Sequence, residues 1–77
     1  MKKVTVYSTP TCHFCHLAKD FFTAKGVAFE DKDVMTDLVA RQEMVTKSGQ
    51  MGVPVIDIEG DIVVGFDEAT IAGKLGL

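Results

Sequence analysis

The sequence predicts an α/β sandwich, a four-stranded mixed sheet flanked by helices in the chain order β-α-β-α-β-β-α. Three observations lead to it. Two strand-like segments early in the chain are each followed by apolar residues at helical spacing. The connection between those segments is one short crossover, which makes the two strands parallel. Two short apolar runs late in the chain flank Glu59-Gly60-Asp61, a hairpin turn. Strands that alternate with helices and then close on a hairpin give a mixed sheet.

The elements follow in order. Lys3–Ser8 alternates, with Val4 and Val6 on one face and Thr5 and Tyr7 on the other, which is the period of a strand. Ser8-Thr9-Pro10-Thr11 is a turn that leaves Thr11 as the helix N-cap. Phe14, Leu17, Ala18 and Phe21 then recur at helical spacing, Phe21 and Phe22 are expected in the core, and Gly26 stops the helix. Val27–Asp33 reads as the second strand, with Glu30, Asp31 and Asp33 as its solvated end. Thr36 or Asp37 caps a second helix running to about Lys47, with Leu38, Val39 and Val45 expected to be buried and Gly49 ending it. Met35, Met44 and Met51 are expected as core fillers, Met51 being the one placed to touch a partner. Val53–Ile58 is a strand that starts with a proline, Ile62–Val64 is its return strand, and Asp67 caps a last helix carrying Ile71 and Leu75.

Composition narrows the function classes. The 77 residues are 47% apolar and 25% charged, which fits one globular domain spanning residues 1–77. The net charge is −3 and the cations are scattered, which argues against nucleic-acid binding. No apolar run approaches the ~18 residues that a membrane span needs. The N-terminus lacks the run of about 7–15 apolar residues of a signal peptide, so the expected location is the cytoplasm.

The two cysteines, Cys12 and Cys15, carry the chemistry. A disulfide between residues so close in sequence closes a tiny loop and constrains the unfolded chain little. In a reducing compartment such a pair is more often catalytic or metal-binding than structural. Cys12 falls at the first turn of the helix after the first strand, where free backbone N–H groups and the helix dipole favour thiolate over thiol. Cys15 lies on the same helix face, placed to displace a substrate from a mixed disulfide on Cys12. Other chemistries for these residues carry weaker support. Cys12-His13-Phe14-Cys15-His16 matches a haem-attachment pattern, but the strand-rich context does not suit it. A zinc site or a shared iron–sulfur cluster would need ligands from a second segment, and no further Cys or His exists in the chain.

The stretch Val6-Tyr7-Ser8-Thr9-Pro10-Thr11-Cys12-His13-Phe14-Cys15, with Gly52-Val53-Pro54 and Val64-Gly65-Phe66-Asp67 downstream, resembles the glutaredoxin family within the thioredoxin fold. The resemblance spans essentially the whole chain and is greatest to compact bacterial glutaredoxin-like and NrdH-redoxin proteins of the YruB type. It implies a thiol–disulfide oxidoreductase with Cys12 and Cys15 catalytic and Pro54 cis beside the dithiol. It further implies that Val53 offers its backbone to the substrate. Arg41 falls where the family holds the glycine carboxylate of glutathione, and Asp67 falls near the γ-glutamyl end. His13, Phe14 and Gly65 complete the expected recognition site: His13 tunes the dithiol and Phe14 is an exposed docking aromatic. His16 reads as a bland surface residue.

The chain also departs from the family pattern. Thr9 stands where glutaredoxins have a lysine, and Val64-Gly65 stands where they have Gly-Gly. Two usual elements of a glutathione site are therefore missing, which moves the expected electron donor from glutathione toward a flavoenzyme of the thioredoxin-reductase type. The implied partners are disulfide-containing proteins, ribonucleotide reductase or a peroxidase among them. No bound cofactor and no metal are expected, and glutathione enters only as a co-substrate.

Overall fold

The computed structural model describes residues 2–77 and builds one sheet in the order β2-β1-β3-β4. The strands are β1 (Val4–Ser8), β2 (Phe29–Asp33), β3 (Val55–Ile58) and β4 (Asp61–Val64), and the helices are α1 (His13–Ala24), α2 (Leu38–Ser48) and α3 (Glu68–Leu75). β1 runs parallel to β2 and antiparallel to β3, which pairs antiparallel with β4. The expected element order and mixed sheet are thus observed.

All of β1 is buried, because the strand is central and both of its faces are covered. Val4 and Val6 join Ala18 and Phe22 of α1, Ile56 and Ile58 of β3, and Ile71 of α3 in one core cluster. Tyr7 lies in the other, with Val34, Val55, and Ala40 and Met44 of α2. The alternation in β1 therefore separates two apolar layers rather than an inside from an outside. Phe21 is only partly buried and packs at the edge of the first cluster, while Phe22 is in its centre.

Several sequence expectations are corrected. The N-cap of α1 is Cys12 and not Thr11: Cys12 has extended backbone angles, and its sulfur accepts the Cys15 N–H. Of the two candidate caps for α2, Asp37 serves. Leu38 and Val39 are 71% exposed, and the residues that seat α2 are Ala40 and Met44, with Val45 partly buried. Three consecutive apolar residues fan out by about 100° each around a helix, so they cannot all meet one sheet. Ala40 and Met44, one turn apart, make the contact. Met35 and Met51 are exposed, leaving Met44 as the one core filler of the three.

Polar contacts fasten α2 to the sheet. Lys47 donates to Asp57 Oδ2 at 2.7 Å and to the Tyr7 hydroxyl at 2.9 Å. The Tyr7 hydroxyl and Lys32 both donate to Glu43 Oε1, at 3.1 and 2.9 Å. Burial raises the Asp57 carboxyl, but the Lys47 hydrogen bond and the Gly60 N–H outweigh it and hold the group below its ordinary value. The same contacts, Asp57 first and Tyr7 second, raise Lys47.

Candidate active site

The dithiol sits where β1 hands over to α1. Cys12 follows the turn Ser8-Thr9-Pro10-Thr11, and its N–H donates to the Thr9 carbonyl at 3.3 Å. Helix caps are usually filled by oxygen-bearing side chains that satisfy a free N–H near the helix start. Here the Cys12 sulfur does this, accepting the Cys15 N–H at 3.1 Å. Cys12 and Cys15 are joined as a disulfide, with their Cα atoms 5.2 Å apart. The pair is unequal in exposure: Cys12 is partly exposed, whereas Cys15 is 0% exposed beneath α1. An incoming molecule reaches the first sulfur and not the second.

On reduction, the N–H that now meets a bridged sulfur, and the positive end of α1, are aimed at a Cys12 thiolate. His16, which the sequence suggested was bland, holds the turn. Its Nε2 lies 2.7 Å from the Pro10 carbonyl; a carbonyl only accepts, so that ring nitrogen carries the hydrogen. His13 is exposed and meets the Phe14 ring edge-on, with centroids 5.6 Å apart. Phe14 is 57% exposed beside the dithiol, as expected for a contact surface.

The remaining recognition residues approach from the other segments. The Val53–Pro54 peptide bond is cis, and Pro54 is buried. Tyr7 pairs with Val55, so Pro54 sits at the same end of the sheet as the turn leading to Cys12. The Gly65 N–H donates to the Pro54 carbonyl at 2.8 Å, joining those two residues. Gly65 has φ +84°, a conformation that glycine adopts without strain. Val53 is partly buried against the second core cluster. Arg41 is exposed on α2 and donates to Met51 Sδ at 3.9 Å, which ties it to the segment leading into Pro54.

Asp67 caps α3: one carboxylate oxygen accepts the Thr70 N–H at 3.2 Å and the other the Thr70 hydroxyl at 2.8 Å. The hydroxyl bond and then the N–H bond hold its carboxyl below the ordinary value. Both oxygens are thus engaged within the helix. A lysine near Cys12 is absent at position 9, where Thr9 stands. Among the described residues no group of three or more His, Cys, Asp and Glu side chains is gathered as a metal site. No described helix is long and apolar enough to cross a membrane.

Sequence reasoning did not single out Ser8. It is 2% exposed, and its hydroxyl donates to Asp31 Oδ1 at 2.6 Å. A serine ending a strand looks like a turn residue until the neighbouring strand is in place.

Comparison with known proteins agrees with this geometry. The family model described as Glutaredoxin matches residues 4–63. An uncharacterized glutaredoxin-like 8.6 kDa protein in the rubredoxin operon of Clostridium pasteurianum is 46% identical over 68 residues, covering 88% of this chain and 91% of that protein. Glutaredoxin 3 of Escherichia coli strain K12 is 35% identical over 68 residues, covering 88% and 82%. Among solved structures, the thioredoxin-like protein BC3987 has a TM-score of 0.87 at 30% identity, covering 92% of this chain and 97% of that one. The glutaredoxin from Methanosarcina mazei has a TM-score of 0.86 at 28% identity, covering 97% and 79%.

Proposed function

The chain belongs to the glutaredoxin family, and on that premise we propose that it reduces protein disulfides in the cytoplasm with electrons from a flavoenzyme of the thioredoxin-reductase type. Its thiol–disulfide oxidoreductase chemistry follows from the family, the fold and the Cys12–Cys15 pair. The observation that carries the finer reading is the unequal exposure of the two sulfurs at the N-terminus of α1.

Cys12 is the nucleophile. Its thiolate attacks one sulfur of a substrate disulfide, the substrate S–S bond breaks, and the departing thiolate takes a proton. Cys15 resolves: its thiolate attacks Cys12 Sγ, the Cys12–substrate bond breaks, and the second substrate thiol leaves. The protein ends oxidised, with Cys12 and Cys15 bridged as in this structure. Two electrons and two protons from the donor restore the dithiol. Val53 presents its backbone to the incoming segment beside Pro54 and Gly65, with His13 and Phe14 flanking the exposed sulfur. Ribonucleotide reductase and peroxidases belong to the class of substrate that such a carrier serves.

Two features support the flavoenzyme over glutathione as donor. Thr9 offers no cation beside Cys12, and both carboxylate oxygens of Asp67 are engaged by Thr70. Arg41 alone stands ready for a glutathione carboxylate. The test is NADPH oxidation with a disulfide substrate, run once with thioredoxin reductase and once with glutathione plus glutathione reductase. Turnover is expected in the first arm, and turnover confined to the second overturns the donor assignment. In the working arm Cys12→Ser abolishes reduction and Cys15→Ser accumulates a mixed disulfide on Cys12. Full activity of Cys12→Ser would remove its role as nucleophile.

A further inference from the structure

Resolution requires a thiolate at Cys15, yet this sulfur is enclosed and its thiol has no direct route to water. A chain of polar groups reaches the same level of the fold. Ser8 donates to Asp31 Oδ1 at 2.6 Å, and Lys19 Nζ donates to Asp31 Oδ2 at 3.0 Å. Ser8 is 2% exposed, whereas the Asp31 side chain is 43% exposed, so the chain runs from the interior to solvent.

Its inner end lies under Cys15. Val6 and Ser8 are on one face of β1, and Val6 packs with Ala18 and Phe22 of α1, so the Ser8 hydroxyl lies between the sheet and that helix. Asp31 is in register with Val6, and Ser8 is in register with Asp33. Lys19 of α1 therefore stands over the Val6 level. Cys15 is four residues earlier on a helix that runs back along the strand, about 6 Å nearer the dithiol end. Two strand residues span about 6.6 Å, so Cys15 stands over the Ser8 level. Because the single hydroxyl hydrogen of Ser8 is directed at Asp31, its lone pairs are left to accept from a thiol.

We propose that Ser8 and Asp31, held in place by Lys19, form the proton path that turns Cys15 from thiol to thiolate during resolution. The inference rests on the assignment of Cys15 as the resolving cysteine. The Cys15 proton passes to Ser8 Oγ as the Ser8 proton passes to Asp31 Oδ1, and exposed Asp31 releases it to water. The Cys15 thiolate attacks Cys12 Sγ, the bond from Cys12 to the substrate sulfur breaks, and the leaving thiolate takes a proton from solvent. Lys19 fixes the carboxylate and is a positioning residue. The other ionisable groups near this end of α1 and the sheet are Asp33, His16, His13 and Asp67. Asp33 accepts the Met35 N–H at 2.9 Å, His16 is turned to Pro10, His13 is exposed, and Asp67 is engaged by Thr70.

The experiment separates the two chemical steps in single turnover. Reduced protein is mixed with a disulfide whose two halves are chromophoric thiols. Loss of the first half reports attack by Cys12, and loss of the second reports resolution by Cys15. With Ser8→Ala, resolution at neutral pH is expected to slow at least about tenfold, below the range typical of losing a general acid or base outright. The deficit should close as pH rises past about 8.5, where a thiol ionises unaided. Asp31→Asn should reproduce that profile, and Ser8→Thr, which keeps the hydroxyl, should restore the rate. A deficit equal at all pH values, or none in either variant, overturns the proton path. Failure of the first half to leave the wild-type protein would instead overturn the dithiol assignment beneath it. If Ser8→Ala does not fold, Asp31→Asn and Ser8→Thr carry the test.

Discussion

Lys47→Met should unfasten α2 from the sheet, with a magnitude that the structure lets one work out. Lys47 makes a 2.7 Å bond to Asp57 and a 2.9 Å bond to Tyr7, and the Asp57 side chain is only 14% exposed. A hydrogen bond to a charged group contributes about 1.5–3 kcal/mol, and a neutral one about 0.5–1.5 kcal/mol. Because the Lys47 side chain is 38% exposed, its ionic part is discounted toward the 1 kcal/mol or less of a surface pair. Methionine keeps much of the apolar stem, so the expected loss is about 2 kcal/mol. A chain of this length holds about 4–12 kcal/mol in total, so the loss would lower Tm by about 8–16 °C.

The effect carries a pH signature. Asp57 lies below its ordinary value of 3.8 in the folded protein, so the stability it contributes is present above that value and is lost as pH falls through the lowered one. The gap between wild type and Lys47→Met should be full at about pH 7 and should shrink at about pH 3. Urea denaturation at both pH values measures it. A gap below about 0.5 kcal/mol at neutral pH, or one that persists undiminished in acid, would refute the reasoning.

Met44→Ala, which empties a fully buried seat of α2, should cost about 2–5 kcal/mol in the same urea experiment. Leu38→Gln, at a position that is 71% exposed, should move stability by no more than about 0.5 kcal/mol, against the expectation from hydrophobicity alone. Asp67→Ala should lower the urea midpoint by removing the α3 cap, and Asp67→Asn should retain most of it, since Asn also caps. After reduction, brief treatment with iodoacetamide should label Cys12 well ahead of Cys15, as read by peptide mass spectrometry; equal labelling would contradict the burial of Cys15.

Much of the fold was legible because periodicity and caps are local. The alternation of Val4, Thr5, Val6 and Tyr7, the caps at Asp37 and Asp67, and the Glu59-Gly60-Asp61 turn each depend on neighbours a few residues away. The burial of α2 was not legible. Leu38, Val39 and Ala40 are all apolar, and the choice of Ala40 with Met44 depends on how the helix meets Tyr7 and Val55. Met35 and Met51 were misplaced for the same reason, since an apolar side chain in a connecting segment carries no period.

At the site, the sequence by itself determined that two cysteines stand one helical turn apart at the start of a helix, because spacing and helix geometry leave little freedom there. It also determined the residues at positions 9, 41 and 64 to 67 that bear on the electron donor. Tertiary structure decided the rest. It made Cys12 the cap and left it open while it buried Cys15 under α1, and it joined Gly65 to Pro54 across the strands. It also brought Ser8 of β1, Asp31 of β2 and Lys19 of α1 into one hydrogen-bonded line. Those contacts depend on strand register and on the level at which a helix crosses a sheet, quantities set by packing the whole chain and absent from any local pattern of residues.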